Sequence, residues 1–326
     1  MATFLTTRKM APELAGRIER SIESSYRPAR PTIFAPRLRM SALRLGLFLA
    51  VAAGTYSFVL ARRQHAEELE KARAPLLDVV RGQNTLLTVD QKNFMSRVEP
   101  CLIGLSGAYP GDLLADEVRA PTAFDRALAR PSVYVRGPVA AFASAAGIED
   151  AAAASSKDSF LICLLDPPPS RAEKVVLGKV RAMYGGDAAM ADRTGHARRL
   201  DDVVAGLRQL RWPWEERVRG AAKIRELDKI KAELERVPVE TTRRAVAGEL
   251  LIAAMDEPGE GGPADLDGER AHHVRVGIME LGTSKILLRT RPRVDPSWMS
   301  PATRASFAGA VDGCALAFDI HASLRR

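Results

Sequence analysis

Residues 45–61 read LGLFLAVAAGTYSFVLA, seventeen consecutive uncharged residues closed by Arg62 and Arg63 and preceded by Arg44. With 41–44 included the run reaches about twenty residues, the length a helix needs to cross a bilayer core of roughly 30 Å. Leu45 to Ala61 is therefore read as a membrane span, and the rest of the chain is organised around it. A basic cytoplasmic tail, largely disordered, occupies residues 1–40, the span 41–61, a juxtamembrane linker helix 62–83 and a folded domain 84–326.

The charge distribution sets the expected orientation. The chain carries a net charge of +8 over 326 residues. Residues 1–44 hold nine Lys/Arg against Glu13, Glu19 and Glu23, leaving 39 of the 48 basic and 37 of the 40 acidic residues for the remainder. A near-neutral domain has no electrostatic footprint for a phosphate backbone, so no nucleic-acid partner is expected. Basic residues flanking a span stay on the cytoplasmic side. That rule predicts a cytoplasmic N-terminus and an extracytoplasmic C-terminal domain. Arg outnumbers Lys 38 to 10 and Ala is abundant, usage that fits a GC-rich bacterial genome; the expected location is then the inner membrane with the domain in the periplasm.

One rival reading shares the same residues. Translation from Met40 rather than Met1 would give MSALRLGLFLAVAAGTYSFVLA, a signal peptide with Val59 and Ala61 before the cut. Arg62 directly after that cut is unfavourable and the apolar run is long for cleavage, so the uncleaved anchor is preferred. Ala50/Gly54 and Ala53/Ser57 are small residues four apart, which permits helix pairing and hence a homodimer. Leu69, Ala72, Leu76 and Val79 fall at a/d spacing after the span, with Pro75 expected to interrupt the helix.

Beyond the span the pattern predicts an α/β (or α+β) domain with a mixed sheet of about five strands. Ser132–Val135 (SVYV) reads as a strand closed by Gly137-Pro138. Phe160–Leu165 (FLICLL) reads as a strand buried on both faces, and Leu250–Met255 (LLIAAM) as the third. His273–Leu281 alternates apolar and polar residues and leads through Gly282-Thr283-Ser284 into Lys285–Arg291, a hairpin. Helices are expected over 89–100 with Asp90 as cap, over 121–128, 139–154 and 172–183, and over 241–248. A helical insertion is expected at 197–238, ending in one long charged helix from Glu215 to Val237. A final helix is predicted from a Ser300 cap with Pro301 at its first position, its apolar face (Phe307, Val311, Cys314, Phe318) covering the sheet.

Candidate site residues are few. Cys101, Cys163 and Cys314 number three, so one intramolecular disulfide at most can form among them in an oxidising compartment; with Cys163 and Cys314 on apolar stretches, all three are read first as buried structural thiols and one pair as the alternative. Asp166, and Asp256 with Glu257, stand at predicted strand ends, where α/β enzymes place catalytic carboxylates. Asp265, Asp267 and Glu269 lie in a Gly-rich acidic loop that contains a fragment of a calcium-loop pattern but lacks its distal bidentate Glu. His272 and His273 begin a strand, so their rings point to opposite faces and cannot chelate one metal as a pair. No GxGxxG follows a strand and no GxxxxGK[ST] occurs, so no nucleotide cofactor is expected. Trp212, Trp214 and Trp298 are core or interface aromatics.

The function these observations predict is binding: an anchored periplasmic scaffold or sensory-input domain in contact with membrane lipid and an envelope protein. The alternative from another class is a membrane-tethered hydrolase using Asp166, Asp256 or Glu257.

Overall fold

The computed structural model describes residues 37–259 and 271–324. The chain divides into two units, Met1–Glu67 and Glu68–Arg326. Helix α1 (Arg37–Thr85) runs through both ranges without a break. In the first unit its large apolar side chains are exposed: Leu47, Phe48 and Tyr56 are 67%, 72% and 69% exposed. Among the described residues this is the one helix long and apolar enough to cross a membrane, with a mean hydropathy of 1.6 over its most apolar window.

Pro75 lies inside α1 and does not end it. An interior proline costs one i→i−4 hydrogen bond, and side-chain anchorage on either side of it holds the helix. Leu76 and Val80 are buried against Trp214, Val218, Leu227, Ile230 and Leu234. Arg73 donates from Nε to the Val218 carbonyl (3.1 Å) and from Nη2 to the Ala221 carbonyl (2.7 Å). Residues 62–83 are helical throughout, as part of α1.

In the second unit, Thr88 forms a reciprocal capping box with Gln91 at the start of α2 (Val89–Lys92), and α3 (Phe94–Ser106) follows, carrying Pro100 in its interior. The cap is Thr88 where Asp90 was expected, because the Thr hydroxyl and the Gln amide satisfy two orphan N–H groups together. Next come β1 (Leu113–Leu114), α4 (Pro121–Leu128), β2 (Ser132–Pro138), α5 (Ala145–Ala154) and α6 (Ser159–Leu165). Then α7 (Glu173–Tyr184), α8 (Ala188–Thr194), β3 (Ala197–Arg199) and α9 (Leu200–Leu210) lead to α10 (Trp214–Gly220), α11 (Ile224–Leu234) and α12 (Val239–Val246). The chain closes with β4 (Leu250–Asp256), β5 (His272–Glu280), β6 (Lys285–Thr290), β7 (Arg293–Val294) and α13 (Pro301–Ser323).

The fold is mixed α/β. Its seven-stranded sheet has the order β1-β6-β5-β4-β2-β3, with β7 pairing β5. Strands β3, β2 and β4 are parallel; β4-β5, β5-β6 and β6-β1 are antiparallel. Even positions of β2, β4 and β5 (Tyr134, Ile252, Val276) pack with α4, α6, α7 and α13, and odd positions (Val133, Leu251, Met279) with α3, α5, α9 and α12. A period-2 strand between two helical layers is apolar on both sides, which is why LLIAAMD is buried throughout.

Three expectations are corrected. FLICLL is helix α6, not a strand: Asp158 caps it, accepting from Leu161 N at 3.0 Å, and the helix is buried on every side. A short all-apolar run carries no period to separate the two states. The sheet gains instead the two-residue β1 and β7 and the edge strand β3. Segment 197–238 is not purely helical, since its first residues form β3, paired parallel with β2. The long helix expected over 215–237 is two, α10 and α11, broken where the Ala221 carbonyl accepts from Arg73 and Glu226 Oε2 accepts from Ala222 N.

The last helix starts as expected, with Ser300 as cap and Pro301 at the first position. It changes direction at Phe307, whose φ −142° and ψ 19° are not helical. Cys314, fully buried on it, is disulfide-bonded to Cys163 of α6 with a Cα–Cα distance of 5.1 Å, so these two are not the buried thiols their apolar surroundings suggest: the packing of α13 on α6 brings them together. Cys101 is free and buried.

Candidate functional site

The carboxyl ends of β2 and β4 lie side by side, Pro138 opposite Asp256 in the register. The chain leaves β2 toward β3 on one side and leaves β4 toward β5 on the other. Such a reversal of strand order is where open α/β sheets bind ligands. Tyr134 and Arg136 stand on the same face of β2, two residues apart, and aim at this crevice.

Arg136 organises it. Nε donates to Asp256 Oδ2 at 3.0 Å and Nη2 to Asp256 Oδ1 at 2.9 Å, a bidentate pair. Nη1 donates to Asp158 Oδ2 at 3.0 Å, the same oxygen that accepts from the Tyr134 hydroxyl at 2.9 Å. The backbone N–H of Arg136 donates to Ser155 Oγ at 3.0 Å, tying the strand end to the loop before α6. On the far side, His272 Nε2 lies 3.1 Å from Asp256 Oδ1, and both side chains are 1% exposed. An ionised carboxylate only accepts, so that ring nitrogen carries the proton.

The electrostatics follow from burial against pairing. Burial raises the Asp256 carboxyl, but the hydrogen bonds of His272 and Arg136 and the Arg136 charge outweigh it, and the net direction is down. For Arg136 burial works against the charge, and Asp256 and Asp158 more than restore it. Burial first, then the Asp158 charge, pushes the Tyr134 phenol well above its ordinary value. One guanidinium thus binds two carboxylates, a hydrogen-bonded network that ties the end of β2 to the end of β4 and to the loop before α6.

Beside it opens a cavity of about 690 Å³, lined among others by Arg136, Ser155, Asp158, Ser159, Tyr184, Arg304 and Phe307. The loop before α6 forms one wall and the first half of α13 the other.

The chain matches no known family, no curated protein and no solved structure. The site therefore has to be read from its own geometry.

The three carboxylates singled out from the sequence have separate partners. Asp256 belongs to the Arg136 network. Asp166 is not at a strand end: it caps the C-terminus of α6 and is ion-paired with Lys179 and with Arg193 Nη2 at 2.8 Å. Burial raises its carboxyl and those two cations lower it further, so it stays ionised. Glu257 is 6% exposed and pairs with Arg275 and with Arg291 Nε at 2.8 Å. Arg275 also donates from Nη1 to the Ser106 carbonyl at 3.1 Å, fastening the end of α3. Asp265, Asp267 and Glu269 lie outside the described residues. Among the described residues no group of three metal-ligating side chains comes together. Trp214 is buried, Trp212 is half exposed, and Trp298 donates to Asp312 Oδ1 at 2.9 Å.

Sequence reasoning missed Arg136, Asp158 and Asp312. Two signals were present: an arginine ending an otherwise apolar strand, and an aspartate directly before an apolar run, where a helix cap belongs. Asp312 is 3% exposed on α13, and its Oδ2 has no hydrogen-bond partner. Burial raises its carboxyl to about 6, against the Trp298 hydrogen bond, which lowers it.

Proposed function

We propose that this is a single-pass membrane protein whose C-terminal domain lies outside the cytoplasm, on the periplasmic side of an inner membrane, and works by binding as a sensory-input or scaffold domain. The observation that carries the reading is the exposed apolar surface of Leu45–Leu60 on α1, which lipid would cover. The basic residues before it favour a cytoplasmic N-terminus. The Cys163–Cys314 disulfide agrees with an oxidising compartment.

Binding is favoured over catalysis because Asp166, Asp256 and Glu257 are each held ionised by cations and share no partner. The hydrolase alternative draws on the Asp256–His272 contact, a carboxylate beside an imidazole at a strand end. Both side chains are 1% exposed, which supports a structural role for the imidazole over a catalytic one. Partners under the binding reading are lipid around the span and an envelope protein or a second copy of the chain.

Alkaline phosphatase fused after residue 324 tests the topology, together with the mass of the mature chain. Enzyme activity and an intact N-terminus are expected. An inactive fusion, or a product beginning at Arg62, removes the anchored extracytoplasmic reading.

A further inference from the structure

We infer that the cavity between the loop before α6 and the first half of α13 is a binding site for a small oxyanion, a carboxylate or a phosphate ester. This rests on the reading of the domain as a binding module and names its ligand class. The volume, about 690 Å³, is in the range of small-molecule sites, roughly 300–1,000 Å³.

The polar groups in its wall are spent unequally. Asp158 is the one carboxylate lining it, and its oxygens already accept from Arg136, Tyr134 and Leu161 N. The donors are open. Ser159, 2% exposed, lines the cavity, and its hydroxyl is committed to no side-chain hydrogen bond among the described residues. Ser155, 5% exposed, uses its oxygen to accept from Arg136 N, which leaves its proton for another acceptor. Arg304 lines the cavity from the exposed side and forms no ion pair among the described residues.

The backbone adds to this. Because Phe307 leaves helical geometry, Ala308 and Gly309 open a second helical segment that runs to Ser323, and both line the cavity. The first N–H groups of a helical segment lack intrahelical acceptors, and the positive end of its dipole favours an anion. Side chains no larger than a methyl group let an oxyanion reach them. Donors with capacity, a committed acceptor and an unpaired guanidinium select an anion over a cation or a neutral sugar.

Titration calorimetry on the full chain in detergent micelles, with inorganic phosphate, succinate, choline and glucose as probes, tests this. Phosphate or succinate is expected to bind in the millimolar range or tighter, the tighter of the two telling phosphate from carboxylate recognition. Arg304→Gln is expected to weaken that binding about tenfold or more, and Ser159→Ala about threefold to tenfold. Arg236→Gln, on the exposed surface after α11, should leave it unchanged, and unfolding curves establish that each variant is folded. No heat from either oxyanion, or binding indifferent to both cavity variants, overturns the assignment. Heat from choline or glucose alone also overturns it while leaving the binding-module reading in place.

Discussion

Arg136 and Asp256, 120 residues apart in sequence, meet through two parallel N–H···O bonds of 3.0 and 2.9 Å across the ends of the two central parallel strands. The carboxylate is 1% exposed and the guanidinium side chain 14%. Breaking a buried pair by removing one member leaves an uncompensated charge, which costs about 3–5 kcal/mol. Asp256→Ala is expected to lower the unfolding free energy by that amount, read from urea unfolding curves. Asp256 is depressed relative to the unfolded chain, so its contribution is complete above the ordinary carboxylate range near pH ~4 and is lost as pH falls through the folded value.

Asp312 predicts the opposite slope. Its folded value, raised to about 6, means the native state holds a proton that the unfolded chain releases near pH ~4. Stability should therefore fall as pH rises from about 4 to 6 and stay reduced above it. Asp312→Asn keeps an acceptor for Trp298 Nε1 and removes the ionisation. It is expected to raise stability at pH 7 by about 1–2 kcal/mol and to flatten that part of the profile, read from unfolding midpoints across pH.

The disulfide predicts a thiol count. Of three cysteines, Cys163 and Cys314 are joined and Cys101 is buried and free. Thiol labelling of protein unfolded without reductant should therefore modify one residue per chain, rising to all three after reduction. Cys314→Ala is expected to cost about 2–5 kcal/mol, because the bond closes a loop of 151 residues in the unfolded chain.

Gly206 marks the closest approach of α9 to α12. A Cβ built there would lie 1.8 Å from Thr242 Oγ1 and 2.8 Å from Thr242 Cβ. Thr242 is itself fully buried and donates to the Pro238 carbonyl at 2.8 Å. Gly206→Ala should destabilise by about 1–3 kcal/mol or more through overpacking, measured by thermal unfolding, although Ala is the better helix former.

Local signals carried the reading where one element decides its own state. The Ser300 cap with Pro301, the alternation in β5 and the long apolar helix near the N-terminus each follow from their own residues. What failed was decided by other parts of the chain. Phe160–Leu165 has the composition of a buried strand and becomes a helix because Asp158 caps it and the sheet has no vacancy between β2 and its neighbours. The break between α10 and α11 depends on Arg73, some 145 residues upstream of Val218. The candidate site was partly legible: Asp256 was picked out by its position after an apolar strand. Its partners Arg136 and His272 could not be paired with it, since only the register of three strands brings them together.

The last helix carries a consequence for how the protein is made. All seven strands among the described residues precede α13 in the chain, yet one face of the sheet has no complete cover until α13 lies against it. During synthesis that face, with Tyr134, Ile252 and Val276, stays open to solvent and to other chains until residues past 301 have emerged. The domain should therefore acquire protease resistance in one late step, and chains stopped before residue 301 should be degraded rather than accumulate as a smaller folded core.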